Sequence, residues 1–293
     1  MIRFSKYLWL YALISGFVLI PGIYSLIRFG LKPSIDFSGG TLLEYRMSQP
    51  VSQAVITDVA AASGIALISV QQSGSGSYLI RMKQEEKPKI EGLTVSLERS
   101  ASVTATIVRH ETVGPILGRE LLTKALYAAL FAVSAILLYI AWAFKNVRFG
   151  VAAVIALLHD LLVVLGSFSL FGRFLGVEVD TLFVTAFLTT MSFSVHDTIV
   201  VFDRIREYTK RDRSRHFSDI CDTALTETMN RSLTNSFTII FMLVALVLMG
   251  GETTKWFVVA LLIGTVSGTY SSPFVATPIL LLWHRLEKRR TTA

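Results

Sequence analysis

The sequence is poor in charge and nearly empty of cysteine. Of its 293 residues, 17% are Asp, Glu, Lys or Arg and 52% are hydrophobic, whereas soluble domains carry about 25% charged residues. That shortage excludes a soluble globule. The single cysteine, Cys221, excludes an internal disulfide. No Cys/His cluster, His-Glu-x-x-His helix, nucleophile motif or phosphate loop occurs. Nothing in the chain therefore calls for a metal or a cofactor, and it is not read as an enzyme.

What is present is apolar and long. Six stretches reach the ~20 residues that a spanning helix needs: Leu8–Phe29, Leu121–Phe144, Phe149–Phe171, Thr181–Phe202, Leu233–Gly250 and Trp256–Trp283. The first follows Arg3 and Lys6 but is too long for a secretory signal. No small-x-small cleavage site follows it, so it is expected to remain as an anchor. Basic residues cluster at the N-terminus, Lys145–Arg148, Arg204–Arg215 and Arg285–Arg290. With six spans these fall on one side, predicted to be the cytoplasm, so both termini are expected there. The net charge of +7 is thus topological, and nucleic acid, which needs a basic face on a folded domain, is not expected as a partner.

The predicted fold is a six-helix membrane bundle with one small α+β domain. The divisions are 1–29 for the first span, 30–120 for an extracytoplasmic domain, and 121–293 for five further spans with a cytoplasmic segment, 203–232. Within 30–120 the pattern reads strand (Thr41–Met47), helix (Val51–Ser63), two strands (Ile65–Gln71, Tyr78–Lys83) joined by Gly-Ser turn sequence, helix (Lys89–Ser100) and strand (Ser102–Glu111). That order is ferredoxin-like. Gly39-Gly40 reads as a tight backbone turn. In the cytoplasmic segment, Phe217, Ile220, Cys221, Ala224 and Leu225 recur at helical spacing. Ser218–Asn230 then lies either along the membrane surface or under the bundle.

Ionisable residues stand inside the apolar runs. Asp160 is near the middle of the third span, Asp197 about two turns inside the cytoplasmic end of the fourth, and Arg231 at the cytoplasmic start of the fifth. An ionised group at that depth costs several kcal/mol unless paired or hydrated. Spacing places Thr190 and Ser194 on the face of Asp197, and aligns Asn235 and Thr238 with Arg231. Two polar stripes carrying opposite charges suit a hydrated seam in which Asp197 takes up and releases a proton; a static bond stapling helices is the alternative. His159 and His196 each precede an aspartate and are read as hydrogen-bonding side chains with a lesser relay role. Gly264, Gly268 and Ser272 form a small-xxx-small ridge that predicts close helix packing, and Pro273 and Pro278 predict kinks.

These residues carry a resemblance. Asp36-Phe37-Ser38-Gly39-Gly40-Thr41, Val113-Gly114-Pro115 with Gly118 and Glu120-Leu121, His159-Asp160, the run from Ser194 to Glu207 containing His196-Asp197 and Asp203-Arg204, and Asn230–Thr234 together resemble the SecD/SecF family. The run at 194–207 lies nearer its SecF branch. One position departs: His196 stands where members often carry Asn, and both side chains hydrogen-bond. The resemblance implies an accessory of the Sec translocase that works with SecD beside SecYEG, SecA and YajC in the bacterial inner membrane. It would use the proton gradient to draw secretory precursors outward. It also implies that Asp197 and Arg231 couple the proton; Asp160, His159, His196, Ser194, Thr190 and Asn235 are read from their positions as supporting polar residues. The rival readings are a small-molecule or lipid exporter of the wider resistance-nodulation-division superfamily and a non-transporting scaffold.

Overall fold

Apolar length becomes helix. The computed structural model describes residues 4–72, 76–144, 146–212 and 214–292. Arg3, the Gly-Ser turn at 73–75, Lys145, Arg213 and the side chains at 288–290 lie outside the described residues. Among these, six helices are long and apolar enough to cross a membrane. The chain divides into two compact units: Pro33–Tyr127 with Glu178–Thr181, and Met1–Lys32 with Ala128–Val177 and Leu182–Ala293. The first therefore starts three residues later than the sequence reading placed it. It runs seven residues further and includes the strap 178–181, which no local pattern in the sequence signals.

The smaller unit opens with a short helix, α2 (Ile35–Ser38), after α1 (Leu8–Phe29) of the helical unit. It continues through β1 (Gly40–Met47), α3 (Gln53–Ala62), β2 (Leu67–Gln72), β3 (Ser77–Met82), α4 (Lys87–Ala101) and β4 (Ala105–Val113). The sheet is antiparallel in the order β2-β3-β1-β4, which is ferredoxin-like. Period-two alternation puts Tyr78, Ile80 and Met82 of β3 in the core with Leu43 and Tyr45 of β1, packed against Ile56, Leu93 and Leu97 of the two helices. The helices form where polar N-terminal residues and apolar spacing agree: the Ser52 hydroxyl accepts from the Val55 amide, capping α3.

The double glycine has a geometric cause. Gly39 and Gly40 adopt φ of 74° and 131°, values that L side chains rarely reach. A Cβ on Gly39 would sit 2.9 Å from Pro115 Cα, and one on Gly40 would sit 2.7 Å from the Met82 carbonyl oxygen. The motif lets β1 leave the turn against two other backbones.

The helical unit holds α1, α6 (Val147–Phe174), α7 (Thr181–Arg211), α8 (Phe217–Met249), α9 (Glu252–Ser271) and α10 (Thr277–Thr292), while α5 (Pro115–Ala143) leads into it. Helix α6 is central: 56% of its most apolar window is buried, against 6% for α5 and 11% for α8. Helix α1 lies on α6 where Gly22 and Gly166 meet backbone to backbone. At Pro273 the last span passes through a π-helical turn, Ser272–Ala276, between α9 and α10, because proline cannot continue the α-helical hydrogen-bond ladder.

Helix α8 decides between the two placements expected for 218–230. The segment is the first part of α8, continuous with the fifth span. No proline or glycine interrupts residues 217–249. Ile220, Cys221, Ala224 and Leu225 pack in one cluster with Val201, Phe202 and Ile205 of α7, so the amphipathic face is buried under the bundle.

Candidate functional site

Asp160 of α6 and Asp197 of α7 are the carboxylates within the spans; a further buried carboxylate, Asp222 of α8, accepts from the Ser5 amide and hydroxyl at 2.9 Å each. Asp160 of α6 is 4% exposed and its oxygens are filled. Ser267 donates to Oδ1 at 2.5 Å, and Ser194 and Ser271 donate to Oδ2 at 2.6 Å each. The preceding His159 has Nδ1 3.0 Å from Asp160 Oδ1 and Nε2 3.2 Å from Ser15 Oγ of α1. Ser15 in turn lies 3.2 Å from the Tyr270 hydroxyl, which donates to the Tyr11 carbonyl at 2.9 Å.

Asp197 of α7 is differently placed. Its Oδ1 accepts from Ser232 of α8 at 2.5 Å, and its Oδ2 is buried and accepts no hydrogen bond from any described residue. Ser272 stands beside the carboxylate, yet its hydroxyl is engaged with Thr198 Oγ1 at 3.0 Å and with the Gly268 carbonyl at 3.3 Å. Asp197 opens on a cleft of about 640 Å³ whose lining includes His196, Arg231, Ser232, Asn235 and Thr238. Asp197 also lines an apolar pocket of about 210 Å³ with Leu225, Met229, Val266 and Phe274 among others. Arg231 shares the cleft, but among the described residues no ion pair joins it to Asp197. The structure thus brings Asp197, His196, Arg231, Asn235 and Thr238 to one polar recess.

Thr190 and Ser194 are not part of it. Ser194 turns to Asp160, and Thr190 donates to its own helix at the Phe187 carbonyl, 2.9 Å away. A helix turns about 100° per residue, so a residue three positions earlier is about 60° away, enough to face a different neighbour. Both pack on the glycine ridge of α9: Gly264 faces Thr190, and a Cβ on Gly268 would sit 3.2 Å from Ser194 Cα. Sequence reading passed over Ser232, Ser267 and Ser271. Their signal was the spacing of Ser267 and Ser271, four apart and so on one helix face, and the place of Ser232 directly after Arg231.

At the end of α7, Asp203 pairs with Arg206 at 3.2 Å, while Arg204 contacts Glu207 at 2.6 Å and Glu227 of α8 at 2.5 Å. Tyr208 also donates to Glu227. These bonds brace α7 on α8 next to the cleft. In the smaller unit Asp36 takes two hydrogen bonds from Thr181, the first residue of α7. Among the described residues no three His, Cys, Asp or Glu side chains gather as a metal would need.

Known proteins match this chain along nearly its whole length. The family model described as protein export membrane protein SecD/SecF, C-terminal, matches residues 94–286, and the SecD/SecF GG motif matches residues 24–51. A protein translocase subunit SecF from Thermobaculum terrenum is 42% identical over 94% of this chain and 92% of its own length. One from Anaerolinea thermophila is 38% identical, with 96% and 94% covered. The crystal structure of SecDF, a translocon-associated membrane protein from Thermus thermophilus, superposes with a TM-score of 0.84 at 28% identity, covering 95% of this chain. The chain spans 38% of that protein's length. These relatives are named as translocase subunits and not as small-molecule exporters. Six apolar spans, the glycine turn and a match over most of the sequence meet in one conclusion: the chain is a multi-pass membrane protein belonging to the SecD/SecF family of protein export proteins, alongside the subunits called SecF.

Proposed function

We propose that this chain pairs with SecD in the bacterial inner membrane, next to SecYEG and SecA with YajC as a further partner. There it couples the proton-motive force to the outward passage of secretory precursors. Both termini are cytoplasmic in this reading, and the small α+β unit faces outward. Asp197 is the group that gains and loses the proton, and Arg231 is the fixed charge that biases it. The observation that carries this reading is the unsatisfied Oδ2 of Asp197, buried beside a polar cleft that also holds Arg231. A buried carboxylate oxygen without a donor leaves room for a proton, and the absence of an Asp197–Arg231 ion pair leaves a second arrangement for the deprotonated state.

The energies are of the right size. One charge crossing 100 mV is worth about 2.3 kcal/mol, enough to bias two helix arrangements that differ by a few kcal/mol. SecD is also the expected cover for the exposed polar residues Arg231 and Asn235 of α8, which lipid would leave unsatisfied. The test is a pulse-chase of a secretory precursor in cells carrying only Asp197→Asn, with the variant's level and its co-purification with SecD measured alongside. Slow maturation at normal assembly is expected. Normal maturation would reduce Asp197 to a structural bond.

A further inference from the structure

The carboxylates of Asp160 and Asp197 differ in kind. A carboxylate offers about four acceptor positions; among the described residues Asp160 has three hydroxyl donors and the His159 imidazole around it, whereas Asp197 has one donor. The donors to Asp160 come from α7 (Ser194) and α9 (Ser267, Ser271), and His159 extends the contact to Ser15 of α1. Two adjacent side chains of α6, Asp160 and His159, therefore join three other helices. The hydroxyls sit 2.5–2.6 Å from the carboxylate oxygens, in direct hydrogen-bond contact, which leaves no ion-sized gap between them.

The joint sits next to Asp197 along two helices. On α7, Ser194 precedes Asp197 by three residues. On α9, Ser271 precedes Ser272, whose hydroxyl meets Thr198 at 3.0 Å. Between them, Gly268 brings α9 against the Ser194 backbone. Where Asp197 lies relative to α9 is thus decided at the Asp160 bonds.

We propose that Asp160 is a positioning residue. It is a carboxylate fixed in a hydroxyl cage that locks α7 to α9 and so holds Asp197 at its cleft, and it does not itself carry the coupling ion. The proposal rests on the reading of Asp197 as the ion carrier. The titratable groups facing Asp160 are His159 of its own helix and, one hydroxyl further, Tyr270 of α9; α7 presents Ser194 and α1 presents Ser15. Those facing Asp197 are His196 of its own helix and Arg231 of α8, with Glu227 in the same cleft.

The cage separates geometry from charge, which makes the test direct. Asp160→Asn removes the ionisable group and keeps a planar acceptor and donor that the serine hydroxyls can turn to meet. Asp160→Leu removes both. Precursor maturation is followed across a range of pH in cells producing the full chain with its partner, normalised to assembled protein. Asp160→Asn is expected to mature precursor within about threefold of the unsubstituted chain with an unmoved pH profile, and Asp160→Leu to fall about tenfold or more with a moved profile. Should Asp160→Leu fail to accumulate, Ser271→Ala removes one hydroxyl and leaves the carboxylate; a moved profile supports the proposal and an unmoved one overturns it. An Asp160→Asn variant as defective as Asp197→Asn, at normal assembly, overturns it alone. Normal export by Asp197→Asn sinks the ion-carrier reading, and the proposal with it.

Discussion

Ser232 donates its hydroxyl to Asp197 Oδ1 at 2.5 Å, so the residue that touches the carboxylate is the neighbour of Arg231, not Arg231 itself. Consecutive helix positions point about 100° apart, and here Arg231 is exposed while Ser232 is half-buried. Ser232→Ala strips the one hydroxyl that donates to Asp197 among the described residues. Leaving a buried charged group unsatisfied costs about 1–3 kcal/mol, so export is expected to slow about tenfold or more. Ser232→Thr, which keeps the hydroxyl, is expected to restore most of the rate. Pulse-chase of a precursor in the two variants reads both, and equal rates in Ser232→Ala and the unsubstituted chain would remove this bond from the coupling step.

Close backbone packing predicts where size is not tolerated. A Cβ on Gly166 would lie 2.7 Å from Gly22 Cα, whereas one on Gly150, in the same helix, meets nothing within 4 Å. Overpacking costs about 1–3 kcal/mol, so Gly166→Ala is expected to lower the melting temperature of the detergent-solubilised protein by several degrees. Gly150→Ala is expected to leave it unchanged or slightly raised. Equal melting of the two would show that α1 and α6 separate at no cost.

How far the sequence discloses the molecule depends on what kind of signal each feature leaves. The first span, Leu8–Phe29, has the same limits in the structure as in the apolar pattern, because charge and glycine bound it sharply. The order of strands and helices in the small unit follows from period-two and period-3.6 patterns that local sequence controls. The strap 178–181 does not, since a β-bridge between Pro33 and Val179 and an ion pair between Arg81 and Glu178 join residues far apart in sequence. The polar site divides the same way. Asp197 and Arg231 stand out because charge in an apolar run is rare, whereas Ser267 and Ser271 look like ordinary small residues of a packing face. Helical spacing alone put Ser194 with Asp197, and the neighbour it serves is set by which helix packs alongside.

Tyr45 gives the small unit a pH-dependent component of stability. It is fully enclosed, and its hydroxyl lies 2.8 Å from Thr94 Oγ1. Burial raises its phenol above the ordinary value of 10.0, opposed by the Thr94 hydrogen bond. A raised acid holds its proton longer in the folded state, so its contribution is fully present below the unfolded value and is lost as pH rises through the folded one. Tyr45→Phe is therefore expected to cost about 1 kcal/mol near neutrality and to flatten the alkaline loss of stability. Pulse proteolysis of the full chain at neutral and alkaline pH, following cleavage within residues 33–127, measures the difference. Identical alkaline slopes in the two proteins would clear Tyr45 of the effect.

The aspartate of the glycine-turn motif is a helix cap, and its substitution tests whether the motif acts on α7. The first amides of a helix have no partner within it; Asp36 Oδ2 accepts from the Thr181 amide at 3.2 Å and from the Thr181 hydroxyl at 3.0 Å. A carboxylate there also meets the positive end of the helix dipole. Asp36→Ala removes both bonds and is expected to cost about 0.5–2 kcal/mol. Asp36→Asn keeps an acceptor and forfeits the charge, a loss nearer 0.3–1 kcal/mol. The effect is local, so hydrogen exchange at the first turn of α7 is the measurement: faster in Asp36→Ala than in Asp36→Asn, and unchanged in both further along the helix. Protection that survives Asp36→Ala would mean that the first turn is held by the strap alone, through the Ser34 amide on the Val179 carbonyl at 2.9 Å and the Arg81–Glu178 pair, and that the carboxylate of the motif serves some contact other than this cap.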